Sequence, residues 1–405
     1  MRYFTTATIS LGFLSALSGA LFIYLWHLGI HWAWVQALLG LLTLTLWLTL
    51  PRPALAWSGF FTGILWFWWI AMSFRYYDLT WMIPLVILAV GLVYGLLFWA
   101  VGWLPHLFLR ALALGVAEFI HPFGFDWFRP ALMFTGSILG DRLWHYWLIL
   151  TALSLFLFIK KPWRWSVFAL LIPIYHSPMT NDRLPMAGEI QLVQTHIEQA
   201  KKWDPRYRDA IVDLNLQSIE IAIRNGKKAV ILPESAFPLY LNTDIPLVKK
   251  LLRMSRHITI VTGALFTDGK HPYNSTYLFK AGRLRVMHKV VLVPFGEEVP
   301  LPRWMGRWVN DLFFGGASDY FTARKPSDFT MLGRTWRNAI CYEATSDILF
   351  AGNPRTMAAI SNNAWFAPST EATLQHLLMQ LQADRHGTVI FHATNGPGTG
   401  IIIPR

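Results

Sequence analysis

The order of apolar and polar positions divides the chain into two halves of different character. Up to about Tyr175 the apolar runs are long, and residues 8–27, 31–50, 54–73 and 81–104 contain no formal charge. About 20 such residues cross a bilayer core, so each run is expected to form a membrane-spanning helix. Three weaker stretches follow, around 111–120, at 143–159 and at 165–175, where Pro173 is expected to kink the last. About seven spans are expected in all. The first run is long and further spans follow it, so a retained helix is expected there rather than a cleaved signal peptide.

From Glu189 onward the runs shorten and alternate with amphipathic stretches. Strands are expected at 190–193, 229–232, 258–266, 275–280, 286–293, 339–342, 357–361 and 389–393, being largely apolar runs with β-branched or aromatic residues in most of them. Helices are expected at 209–224, ending at Asn225-Gly226, and at 370–385, with Thr370 as N-cap. Alternation of this kind predicts an α/β or α+β layered domain of about 200 residues. No internal repeat, heptad run or long linker interrupts it.

Charge sharpens the division. The chain has 405 residues, a formal net charge of +12 and only 14% charged positions, against about 25% in soluble domains. Residues 1–176 hold nine Lys/Arg and four Asp/Glu, and residues 177–405 hold the remaining 26 and 19. The expected organisation is a membrane domain at 1–176 and a water-facing domain at 177–405. Twenty-one tryptophans suit membrane interfaces, where aromatic rings collect. Arg2, Arg52, Arg110, Lys160, Lys161 and Arg164 fall on one side of such a bundle, and Arg75, Arg129 and Arg142 on the other. The positive-inside rule then puts the N-terminus in the cytoplasm and, after seven crossings, the second domain outside it. The positive excess follows from topology and attraction to anionic lipid, and no nucleic-acid partner is expected. Glu118 admits two readings, a functional carboxylate at depth or a residue at the outer interface of a short span; the irregular segment 121–126 after it would suit lipid access.

Cys341 is the only cysteine. In an oxidising compartment an unpaired thiol is either buried and inert or needed for chemistry. It ends the apolar run Ala339-Ile340-Cys341-Tyr342-Glu343, and strand ends are where active groups commonly project in layered α/β folds. A cysteine nucleophile needs a base and a donor for the oxyanion. Glu234, in Leu232-Pro233-Glu234-Ser235, lies just past an apolar run, and Lys289, in His288-Lys289-Val290-Val291, lies beside another. Each alone is weak, but the three in order are much stronger. His271, His376, His386 and His392 show no zinc spacing and are expected to be structural or at the surface, and no metal is expected. Lys227-Lys228 and Lys249-Lys250 read as solvated faces. Asn274-Ser275-Thr276 fits a glycosylation pattern of little weight. Trp365 and Phe366 suit either an acyl groove or core packing.

Glu, Lys and Cys in this order and setting resemble the carbon–nitrogen hydrolase (nitrilase) superfamily. With a multi-span first half, the chain resembles the bacterial apolipoprotein N-acyltransferase family. Matching motifs are Lys202-Trp203-Asp204, Leu232-Pro233-Glu234, His288-Lys289 with Pro294-Phe295-Gly296-Glu297, Cys341-Tyr342-Glu343 and Ser361-Asn362-Asn363-Ala364-Trp365-Phe366. The resemblance implies a four-layer αββα sandwich beside a helical membrane bundle, with Cys341 as nucleophile, Glu234 as base and Lys289 as oxyanion stabiliser. Trp203, Glu297, Tyr342 and Glu343 match further positions that the family needs. It implies an inner-membrane enzyme, its catalytic domain on the periplasmic side, moving an acyl chain from a phospholipid to the α-amino group of a diacylglyceryl-cysteine on an apolipoprotein, without a cofactor. The family commonly continues into a final membrane helix, whereas this sequence stops at Ile403-Pro404-Arg405. Two other readings stand beside it: a membrane-tethered nitrilase-type amidase, and a non-catalytic transport, conjugal-transfer or assembly component.

Overall fold

The computed structural model describes residues 3–175, 186–294, 297 and 320–405. The expected boundary at 176/177 lies outside the described residues, as do Phe295 and Gly296 of the motif that ends at Glu297. Two compact units form, Met1–Met179 and Thr180–Arg405.

Among the described residues, the first unit contains α1 (Thr6–His27), α2 (Ala33–Thr49), α3 (Arg52–Phe67), α4 (Ile83–Val101), α5 (Leu107–Val116) and α6 (Leu143–Phe158). Four helical stretches are long and apolar enough to cross a membrane: Thr6–His27, Arg52–Tyr77, Thr80–Val101 and Leu107–Gly124. Helices α2 and α6 are shorter apolar helices, and the stretch expected at 165–175 is a 3-10 helix, Pro162–Ile174. In lipid, helices gain little from the hydrophobic effect and associate through close packing and hydrogen bonds. Both devices are present. Gly59 and Gly63 of α3 face α4 so closely that a Cβ on Gly59 would lie 2.4 Å from the Tyr94 carbonyl oxygen. Trp47 Nε1 donates to Ser58 Oγ at 3.0 Å, which donates to Ser15 Oγ at 3.1 Å, joining three helices. Glu118 is buried in a short turn after α5, and its carboxylate accepts the Ala131 N–H. It therefore holds the 3-10 helix Pro130–Phe134 in place.

The second unit is built on two sheets. The first runs β1-β2-β4-β5-β6, from β1 (Ile190–Leu192), β2 (Ala229–Ile231), β4 (Thr259–Thr267), β5 (Pro272–Lys280) and β6 (Arg283–His288), with β3 (Phe237–Tyr240) also on β4. The second runs β11-β10-β9-β8-β7, from β7 (Asp328–Met331), β8 (Arg334–Ile340), β9 (Thr356–Asn362), β10 (Val389–Asn395) and β11 (Gly400–Ile402). Their facing sides share one core, in which Ile231, Val261 and Met287 meet Trp336, Ile360 and Phe391. The opposite face of the first sheet is covered by the helices Arg208–Arg224 and Ile245–Met254. That of the second is covered by the helix Glu371–His386, with Met379 and Ala383 packed on Met357 and Ile390. The layers are αββα. Strands buried on both faces read as unbroken apolar runs, which is why β2, β9 and β10 stand out in the sequence.

Three expectations are corrected. The strand expected at 339–342 is β8, which ends at Ile340, and Cys341 and Tyr342 already belong to the 3-10 turn Cys341–Thr345, where Glu343 accepts the Ile340 N–H. The strand expected at 286–293 is β6, Arg283–His288, and stops before Lys289. Beyond it the N–H groups of Val290 and Val291 go to the Glu343 carboxylate and that of Val293 goes to Glu297 at 2.9 Å, so no ladder forms. Thr370 occupies the cap position of its helix but makes no capping bond; the Glu371 N–H is instead donated to Ser369 Oγ at 3.2 Å.

Candidate active site

The three residues singled out in the sequence all leave strand ends. Glu234 lies where β2 breaks off from β4 and β3 resumes pairing with it. Gly263 of β4 faces this break, and a Cβ there would lie 2.5 Å from Ser235 N and 2.7 Å from Glu234 Cα. Only a residue without a side chain lets the Glu234 turn rest on the sheet. Lys289 follows β6, and Cys341 follows β8. Cys341 has φ of +56° and Ser235, beside Glu234, has φ of +47°. Such backbone in a side-chain-bearing residue costs roughly 1–3 kcal/mol and persists where surrounding structure enforces it.

A hydrogen-bonded network joins these ends. Asn274 on β5 donates through Nδ2 to Glu234 Oε1 at 2.7 Å and to Glu297 Oε1 at 3.0 Å. Lys289 is fully buried and pairs with Glu297 Oε2 at 2.5 Å. Lys202 is buried too and donates to the Glu234 backbone carbonyl at 3.0 Å. Glu343, on the turn Cys341–Thr345, accepts from Val290 and Val291 through one oxygen and from Ile340 at 2.8 Å through the other. It thereby ties the segment after Lys289 to the strand end before Cys341. Tyr342 is buried in the same turn.

Electrostatics place Glu234, Lys289 and Cys341 in one cluster. Burial pushes the Cys341 thiol well above its ordinary range, Glu234 adds to this, and Lys289 opposes it. The resting sulfur is thus a neutral thiol. Burial disfavours the Lys289 ammonium, but Glu297, Glu234, Cys341 and Glu343 outweigh it and hold Lys289 above the usual lysine range. Burial lowers Lys202 to about 8 against the pull of Glu234 and Cys341. Burial raises Glu343 to about 7, and raises Glu371 to about 8 with help from Glu234.

Trp203 stands apart from this cluster. It is 38% exposed and lines a hollow of about 540 Å³ with Arg208, Pro238, Leu239, Tyr240 and Leu265. Asn274, Lys202 and Glu371 complete the surroundings of the three residues; Lys202 stands in a motif of the resemblance, Asn274 only in the glycosylation pattern, and Glu371 in neither. The available signal for Asn274 was its place in three successive polar residues, Asn274-Ser275-Thr276, inside a strand that proves buried. Of the histidines, His392 is buried against Ser361 Oγ at 2.7 Å, His271 pairs with Asp268 at 3.1 Å, and His386 meets Asn353 at 2.8 Å.

An αββα sandwich with these residues at its strand ends, on one chain with a unit of long apolar helices, defines a layered α/β domain carried by a membrane protein. A family model described as the apolipoprotein N-acyltransferase integral membrane domain matches residues 6–177. An apolipoprotein N-acyltransferase of Wolinella succinogenes is 44% identical over 404 residues, covering 99% of this chain and 97% of that one. One from Helicobacter pylori is 36% identical, covering 91% and 88%. A CN-hydrolase superfamily protein of Xanthomonas campestris is similar over 51% of this chain and 76% of its own, at 16% identity and a TM-score of 0.40. The chain belongs to the apolipoprotein N-acyltransferase family, and is a membrane-embedded acyltransferase whose second unit is an αββα sandwich.

Proposed function

We propose that this chain moves an acyl chain from a phospholipid, through a thioester on Cys341, to the α-amino group of a diacylglyceryl-modified N-terminal cysteine on an apolipoprotein. The observation that carries the reading is that the only cysteine sits on a strained strand end within one charge cluster with Glu234 and Lys289. Glu234 takes the Sγ proton and the thiolate attacks the ester carbonyl carbon. The Lys289 ammonium meets the negative oxygen of the tetrahedral intermediate. The C–O bond then breaks, and the proton on Glu234 passes to the departing lysophospholipid hydroxyl. In the second half the amine attacks the thioester, the C–N bond forms, and the C–S bond breaks. The sulfur recovers a proton through Glu234.

The accessory residues have physical tasks in this scheme. Glu297 and Asn274 fix Lys289 and Glu234 relative to one another. Glu343 and Tyr342 shape the turn that presents Cys341. Trp203 offers an exposed aromatic face to a substrate tail. The scheme draws on no metal or organic cofactor. The Lys/Arg asymmetry of the first half supports a multi-pass inner-membrane protein with its catalytic unit on the periplasmic side.

The test is incubation of the full chain in phospholipid vesicles with a synthetic diacylglyceryl-cysteine peptide. The peptide is expected to gain one acyl chain as lysophospholipid appears, and the Cys341→Ser variant to give neither product. Free fatty acid in place of acylated peptide would instead indicate a hydrolase, and neither product from folded protein would indicate a non-catalytic component.

A further inference from the structure

The scheme above gives no task to Glu371. This residue opens the helix Glu371–His386, is 2% exposed, and its Oε2 has no hydrogen-bond partner among the described residues. Three neighbouring buried atoms share that condition: Thr370 Oγ1, Gln375 Nε2 one turn along, and Asn363 Oδ1, whose amide nitrogen donates to Gln375. Buried polar atoms are almost always paired, so a group of them at one helix end marks a place built for a polar guest. That helix packs against the turn carrying Cys341, and Glu371 acts electrostatically on both Cys341 and Glu234.

The second half-reaction requires something there. An α-amino group titrates at about 7.7–8.0, so near neutrality it arrives largely as ammonium, which has no lone pair. We infer that Glu371 accepts a proton from the acceptor's ammonium, leaving the neutral amine that attacks the thioester. The N–H bond breaks as an O–H bond forms on Oε2. The second proton, shed from the tetrahedral intermediate, follows Glu234 to Cys341 Sγ, and Glu371 returns its own to water as product leaves. Burial and Glu234 raise the Glu371 carboxyl to about 8, close to the amine, so the transfer is nearly balanced, and the approaching positive charge favours the ionised carboxylate. Ionisable groups on the elements packed against this helix are Cys341, Tyr342 and Glu343 on the Cys341 turn, Asp347 on the helix Asp347–Phe350, and His392 on β10. On the helix itself are His376, Asp384, Arg385 and His386. Asp347 and Asp384 are engaged with Gln382 and Gln380, and His392, pushed by burial to about 3, stays neutral.

This role rests on the thioester reading, and the experiment separates the two. In full-length Glu371→Gln, acyl-enzyme formation from phosphatidylethanolamine vesicles and transfer to a synthetic diacylglyceryl-cysteine peptide are measured separately at pH 6.5 and pH 9. The ratio of transfer to acylation is expected to fall about tenfold or more at pH 6.5 and to recover most of the way at pH 9, where the amine is already free. Glu371→Asp is expected to restore part of the ratio at pH 6.5. A deficit equal at both pH values, a loss confined to acylation, or unchanged transfer would overturn the role. No acyl-enzyme even in the unsubstituted chain would overturn the thioester reading, and this role with it.

Discussion

Lys289→Ala is expected to slow acyl transfer by about 100–1000-fold, the usual consequence of removing a preorganised oxyanion donor. The ammonium is fully buried and is held at 2.5 Å by Glu297, so no water can take over its charge in place. The substitution leaves Glu297 with the Asn274 amide and the Val293 N–H as donors, so the carboxylate does not become an orphan. The loss should therefore appear in turnover, beside some loss of stability because the mostly buried Glu297 carboxylate keeps its donors but loses its counter-charge. Steady-state transfer beside the thermal midpoint checks this, and near-normal turnover in the variant would remove Lys289 from the chemistry.

Glu343→Ala is expected to have the largest effect on stability. Its carboxylate serves three backbone N–H groups, on Val290, Val291 and Ile340, and alanine would leave all three without an acceptor. An unsatisfied buried donor costs about 1–3 kcal/mol; Ile340 is buried and Val290 and Val291 are half-buried, so the variant should lose about 2–3 kcal/mol, beyond the roughly 1 kcal/mol of an average substitution. Both ends that it ties should loosen together. Hydrogen exchange read by mass spectrometry is expected to show lost protection around 290–291 and around 340 at once, with Glu343→Gln intermediate because one acceptor oxygen remains. Protection unchanged at either segment would mean that the carboxylate does not couple them.

The contrast between β6 and its neighbours explains what the sequence could and could not convey. Strands such as β2, β9 and β10 are buried on both faces, and their apolar runs mark them within about two residues. The run around Val290–Val293 looks the same, yet its N–H groups are claimed by carboxylates 53 and four residues away, a competition invisible to local pattern. The short edge strands β7 and β11 and the four-residue β3 carry too few positions for a period to show. In the site, Glu234, Lys289 and Cys341 could be picked out because each is a reactive group at or beside an apolar run. Asn274 could not, since a buried amide bridging two carboxylates looks in sequence like any polar strand residue. Gly263 gave no signal either: its need for a bare Cα arises only because the Glu234 turn crosses it. Glu371 reads as an ordinary first-turn acid, and only the sandwich behind it makes it a buried carboxyl.

The central claim is a covalent acyl group on one sulfur. Intact mass spectrometry of the full chain after incubation with phospholipid alone tests it most directly. The account predicts a gain of one acyl chain, removed by hydroxylamine and absent in Cys341→Ala. Folded protein that carries no adduct in the absence of an acceptor, or an adduct that survives in Cys341→Ala, would contradict it.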